Sequence, residues 1–253
     1  MQDRAIFLPL SILLIILFGA TVTADPIHIL RIGGWYGEKP RIDAGQDWWG
    51  IFPDSAGYLL QQSPVTLSII DESAVDPEGG VTRVFVEIPQ EKAPLLLVHG
   101  LDNPIAGPLE SAKLLPPIWP ADQSSPPKLN GFLFPGQSLR LSLESQEIRL
   151  VAIGTVEEAA RHHDSVISNY YIVVKQDMNG YTVSQKLAVI PRLDNIGRPH
   201  LVWAGDLDRD GKIDLLYNFT EHYTATRFML YLSTAAEEGQ LVGLVAVLNT
   251  AGC

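Results

Sequence analysis

Between His200 and Phe219 the chain reads HLVWAGDLDRDGKIDLLYNF. The flanks have the short apolar runs of strands: His200 to Ala204 leads in, and Ile213, Leu215, Tyr217 and Phe219 alternate with Asp214, Leu216, Asn218 and Thr220 leading out. Between them, Asp206, Asp208, Asp210 and Asp214 fall at every second or fourth position around Gly211. A hard dication takes roughly six to eight oxygens, and alternating aspartates in a tight turn converge on one point. The reading is strand, calcium loop, strand. Asp206, Asp208 and Asp210 each offer a carboxylate oxygen, Lys212 offers its backbone carbonyl, and Asp214 closes the shell with both oxygens. Gly211 permits the sharp reversal that a side chain obstructs.

An EF-hand requires a bidentate Glu at its twelfth position and a helix on each side. Counting from Asp206, the twelfth residue is Tyr217 and the flanks read as strands. The segment from Trp203 to Leu216 resembles an FG-GAP or VCBS-type repeat, the calcium-loop unit of integrin-like β-propellers and many secreted bacterial proteins. The resemblance covers about residues 198 to 234, and it implies that the carboxylates at Asp206, Asp208, Asp210 and Asp214 carry the ion. Propellers of that family repeat the unit several times, whereas this chain holds one copy. A partial echo at Asp177, Asn179 and Gly180 lacks the remaining carboxylates and reads as an Asn-Gly hairpin turn.

Outside this segment strand signals dominate. Candidates run over 27–32, 65–70, 81–88, 95–98, 139–143, 148–153, 170–175 and 181–189, separated by Gly, Pro, Asn and Asp. Short helices are expected at Leu109 to Leu115 and Val156 to His163. From residue 199 to 248 the pattern predicts four strands in a row, with Phe228, Leu230 and Leu232 on one face and Arg227, Met229 and Tyr231 on the other. A lone four-stranded sheet cannot bury its apolar face, so it must pack on the strands between 139 and 190. The expected fold is mainly β, an antiparallel sandwich or partial propeller-like meander with few short helices. Five prolines between Pro116 and Lys128 cannot sit in a central strand, and they divide a β-rich region over 25–115 from a C-terminal meander region over 129–253.

Residues 1–24 read as a signal peptide: Arg4, then an apolar run from Ala5 to Phe18, then a small residue, Ala24, at the expected cleavage point. The run is short for a membrane span of about 20 residues. A secreted or periplasmic location follows, with no span after cleavage. The formal charge is −11, and no basic stretch of sequence marks a nucleic-acid partner. The single cysteine, Cys253, excludes an intrachain disulfide, which leaves a divalent ion as one of few available cross-links.

Other constellations are weaker. His99 ends a run similar to the oxyanion strand of α/β-hydrolases, but Ser138 lacks the nucleophile elbow. Trp35, Tyr36, Trp48 and Trp49, near Asp43, Asp47 and Asp54, read as the core of a small Gly-rich β region, with a sugar-stacking platform as the alternative. The expected protein is exported, non-enzymatic and braced by one Ca2+, with a binding role toward a protein or glycan. The alternative is a secreted hydrolase or carbohydrate-binding module that the ion supports.

Overall fold

The computed structural model describes residues 26–33, 47–71, 82–115, 131–157, 166–193, 197, 199–221 and 225–251. These residues form sixteen strands and, among them, no helix. Nine strands make one antiparallel sheet. In spatial order they are β1 (His28–Leu30), β6 (Leu97–His99), β2 (Trp48–Asp54), β3 (Gly57–Gln62), β7 (Gly107–Ser111), β13 (His200–Asp206), β14 (Asp214–Asn218), β15 (Ala225–Leu232) and β16 (Gly243–Ala251). The sheet curls until its ends approach: β1 lies against β16, and the Arg31 guanidinium stands 4.5 Å from the centre of the Phe228 ring. Near-closure of this kind protects edges that an open sheet leaves unpaired.

A second antiparallel sheet has the order β12 (Tyr181–Leu193), β11 (Val166–Met178), β10 (Gln146–Glu157), β9 (Ser138–Leu143) and β8 (Lys113–Leu115). A separate pair joins β4 (Thr66–Asp71) to β5 (Thr82–Glu87). Strands on either side of the proline-rich segment share both large sheets, since β7 pairs with β13 and β8 with β9.

Two cores result. Inside the curled sheet Trp48, Ile51, Leu60, Leu97, Trp203 and Leu216 pack with Phe228 and Leu230. On its outside Ala204, Leu215, Tyr217, Met229 and Tyr231 meet Leu141, Leu150, Tyr170, Ile172 and Val174 of the second sheet. Each of the five residues of β14 is buried, because this strand lies between both cores. The two-faced pattern expected of Phe228 to Leu232 is present, and both of its faces are covered.

The expected meander is observed as β13 to β16 in consecutive order. Asn179 and Gly180, with φ of 48° and 88°, make the tight turn between β11 and β12. The helix expected over Leu109 to Leu115 is instead two strands, β7 and β8. Leu109 belongs to the first core while Ala112 packs against the second, so the helix-like spacing records a chain that changes sheets. Of the other expected helix, Val156 and Glu157 end β10, and residues 158–163 lie outside the described residues. So do the leader at 1–24, Trp35, Tyr36 and the segment 116–128.

Candidate metal centre

The loop between β13 and β14 leaves the sheet at the paired residues Gly205 and Asp214. Arg209 (φ 63°) and Gly211 (φ 80°) take the left-handed conformations that fold it back on itself. Asp206 organises the turn by accepting hydrogen bonds from the Asp210 N–H at Oδ1 and the Gly211 N–H at Oδ2, each 3.0 Å. Asp210 Oδ1 accepts from the Lys212 N–H at 2.9 Å. Short polar side chains that bind nearby backbone donors favour such turns over regular structure.

These bonds bring Asp206, Asp208 and Asp210 together, with one oxygen from each lying within 4.8 Å of the others. Such a group can hold a metal ion. Asp208 Oδ1 and Asp210 Oδ2 are buried and lack a hydrogen-bond partner. Lys212 Nζ lies 3.3 Å from Asp210 Oδ2, an ion pair without hydrogen-bond geometry. The other Asp208 oxygen accepts from the Thr234 hydroxyl. Burial pushes the Asp208 carboxyl above the usual aspartate range, the Thr234 bond opposes this, and the neighbouring Asp210 and Asp206 charges add to the rise. At this separation two charges repel by about 1 to 3.5 kcal/mol as the effective dielectric falls from 80 to 20.

Asp214 stands apart from these three. It is fully buried, its Oδ2 accepts from the Leu207 N–H and its Oδ1 from the Ser233 N–H, both at 2.7 Å. Both oxygens are thus engaged in pinning the start of the loop and the end of β15. Burial first, then the charge of Asp208, pushes Asp214 up to about 8, against the lowering effect of the bonds from Ser233 and Leu207. Of the five ligands expected from sequence, the structure clusters three carboxylates, places Lys212 beside them on the loop, and sets Asp214 to backbone donors.

Three supports have no signature in the loop itself. The Arg209 guanidinium donates to the carbonyls of Ile105 (3.2 Å) and Pro108 (3.1 Å). Gln146 of β10 accepts from the Ile213 N–H at 2.7 Å, and Thr234 reaches Asp208 from beyond β15. Only the fold brings Ile105, Pro108, Gln146 and Thr234 to the loop, because they lie far from it in sequence. A cavity of about 420 Å³ adjoins the cluster, lined by Ile27, Leu101, Asp102, Asp208, Leu232 and Thr234 among others.

Those of the remaining candidates that lie among the described residues take structural positions. Trp48 is buried in the first core and Trp49 is half-buried against it. His99 ends β6, stacks with His28 and contacts Trp48, with Nδ1 3.0 Å from the Asp47 carbonyl. In comparison with known proteins, the chain matches no family model, no curated protein and no solved structure.

Proposed function

We propose that the protein is exported and non-enzymatic, and that the loop from Asp206 to Asp214 holds one structural Ca2+ in the manner of an FG-GAP or VCBS-type repeat. The observation that carries this reading is the convergence of three carboxylates with two buried oxygens that accept no hydrogen bond. An all-oxygen set suits a hard cation rather than zinc or copper. Within that class Ca2+ accepts a flexible protein cage, whereas Mg2+ dehydrates reluctantly and keeps its waters. Lys212 contributes its backbone carbonyl, and water completes the shell. The ion relieves the repulsion among the carboxylates and holds the loop against its anchors at Ile105, Pro108, Gln146 and Thr234. Export is supported by the charged start and apolar run of residues 1–24.

Calorimetric titration of chelator-treated protein tests the site. The parent should bind one Ca2+ and discriminate against Mg2+, and the Asp208→Asn and Asp210→Asn variants should each lose at least tenfold in affinity. Equal affinities in all three would refute the assignment. Expression of the full chain followed by N-terminal sequencing tests export, with Asp25 expected as the first residue of the mature form.

A further inference from the structure

The outer face of the five-stranded sheet carries a feature that sequence spacing conceals. Arg149 on β10 lies directly opposite Arg140 on β9 and directly opposite Lys175 on β11. Directly opposed residues share a face, so three cations stand in one row across three neighbouring strands. Lys186 on β12, opposite Val173, extends the positive field, and Lys113 on β8, opposite Ser142, extends it on the other side. Like charges in such positions destabilise a sheet. Two carboxylates temper the row: Glu147 pairs with Arg140 at 2.6 Å, and Asp177 follows Lys175 by two positions with its side chain bonded to Thr182. Among the described residues neither Arg149 nor Lys175 forms an ion pair, and the Lys186 ammonium sits 4.2 Å from the centre of the Tyr171 ring. This concentration occurs in a chain with 29 acidic and 18 basic side chains, where intramolecular partners are plentiful.

Beside the cation row runs an apolar one. Val151 pairs with Val173, and Ile153 with Tyr171 and through it with Val189, which is 42% exposed. The face is therefore a row of positive charge edged by the partly exposed Val151, Ile153 and Tyr171 and the exposed Val189, with Val173 buried between them. We propose that this face docks an acidic polysaccharide, a chain of sugar rings bearing one carboxylate each. Neighbouring strands lie about 4.8 Å apart, which sets the spacing of the cations. A polymer with one charge per ring presents carboxylates at a comparable repeat, and its ring faces can cover the apolar row. Duplex nucleic acid carries about one charge per 1.7 Å, and that density is strongly repelled by a body of net charge −11. The proposal is independent of the metal loop.

Fluorescence anisotropy of labelled polygalacturonate with the full chain, at about 20 mM salt where screening extends beyond 10 Å, tests it. The parent should bind, the fully methyl-esterified polymer should not, and affinity should fall as salt rises. The double variant Arg149→Glu/Lys175→Glu should bind at least tenfold more weakly and the single variant Arg149→Glu measurably more weakly, while Lys92→Glu, the same charge change as that single variant at an exposed loop residue away from the row, should bind like the parent. The double variant still opposes like charges across β10 and β11, so the neutral variant Arg149→Gln/Lys175→Gln controls for folding: it removes the opposition, its melting midpoint should hold or rise, and it should also bind at least tenfold more weakly. No binding by the parent, equal binding by the double variant, or tighter binding of duplex DNA or anionic vesicles than of polygalacturonate each overturns the proposal.

Discussion

Replacing Asp214 with Asn separates its structural role from ion binding. Each Asp214 oxygen accepts one backbone N–H, from Leu207 and from Ser233, at a fully buried position. Asn supplies only one acceptor, and its amide nitrogen then faces a second donor. A buried donor left without a partner costs about 1 to 3 kcal/mol. For a chain of this size each kcal/mol moves the melting midpoint by about 2 to 4 °C, so the drop should be about 2 to 12 °C. Differential scanning fluorimetry at pH 7 in chelator measures it. Ca2+ affinity should change by less than tenfold, because the clustered oxygens belong to Asp206, Asp208 and Asp210. A folded Asp214→Asn protein that loses more than tenfold in affinity would show that Asp214 leaves its backbone donors to bind the ion, and the reasoning would fail.

Further outcomes follow from the same geometry. Asp214 is raised to about 8 in the folded chain, above the ~3.9 of an exposed aspartate, so between these values the folded state holds a proton that the unfolded state has released. Its stabilising contribution is complete below about pH 4 and is lost as pH rises through 8, with a slope of at most ~1.4 kcal/mol per pH unit; in chelator the parent should show this excess over Asp214→Asn, and saturating Ca2+ should flatten it by favouring the ionised form. At Gly205 an added Cβ would lie 2.3 Å from the Glu110 carbonyl oxygen and 2.5 Å from Trp203 Cζ2. Gly205→Ala must push β7 from β13, so chemical denaturation should show a loss of about 1 to 3 kcal/mol. Leu216, with no exposed surface inside the curled sheet, should cost about 2.7 to 5 kcal/mol as Leu216→Ala, and an unchanged midpoint would contradict the placement of β14 between two cores.

Where signals are local, the sequence was readable. The meander β13 to β16 and the turn at Asn179 and Gly180 follow from alternation and turn chemistry within a few residues. Strands β2 and β3 are harder to read, because Trp48 and Trp49 have the look of an aromatic core cluster rather than of one arm of a hairpin whose register pairs Asp54 with Gly57. Near-closure of the large sheet was invisible, since β1 and β16 come from opposite ends of the chain and no periodicity encodes their meeting. At the loop, spacing groups four aspartates with Lys212, and the structure brings Asp206, Asp208 and Asp210 together. It could not reveal that the Leu207 and Ser233 amides take both Asp214 oxygens, because one of those donors lies nineteen positions away.

The loop's position relates the proposed ion to the rest of the fold. Leu207, at its start, is buried in the core inside the curled sheet, and Ile213, at its end, is buried in the core shared with the second sheet. Closing Asp206, Asp208 and Asp210 around a dication therefore fixes the separation of two residues anchored in different cores. Without the ion, repulsion among the carboxylates acts to open the turn, and the strain falls on the Asp214 bonds and on the Ile213 bond to Gln146. Those bonds are the ones that join β13, β15 and β10 at the head of β14. Loss of metal should consequently loosen the contact between the two cores before it disturbs either interior, since the apolar packing of each lies deeper in the sheets than the loop that clips them together.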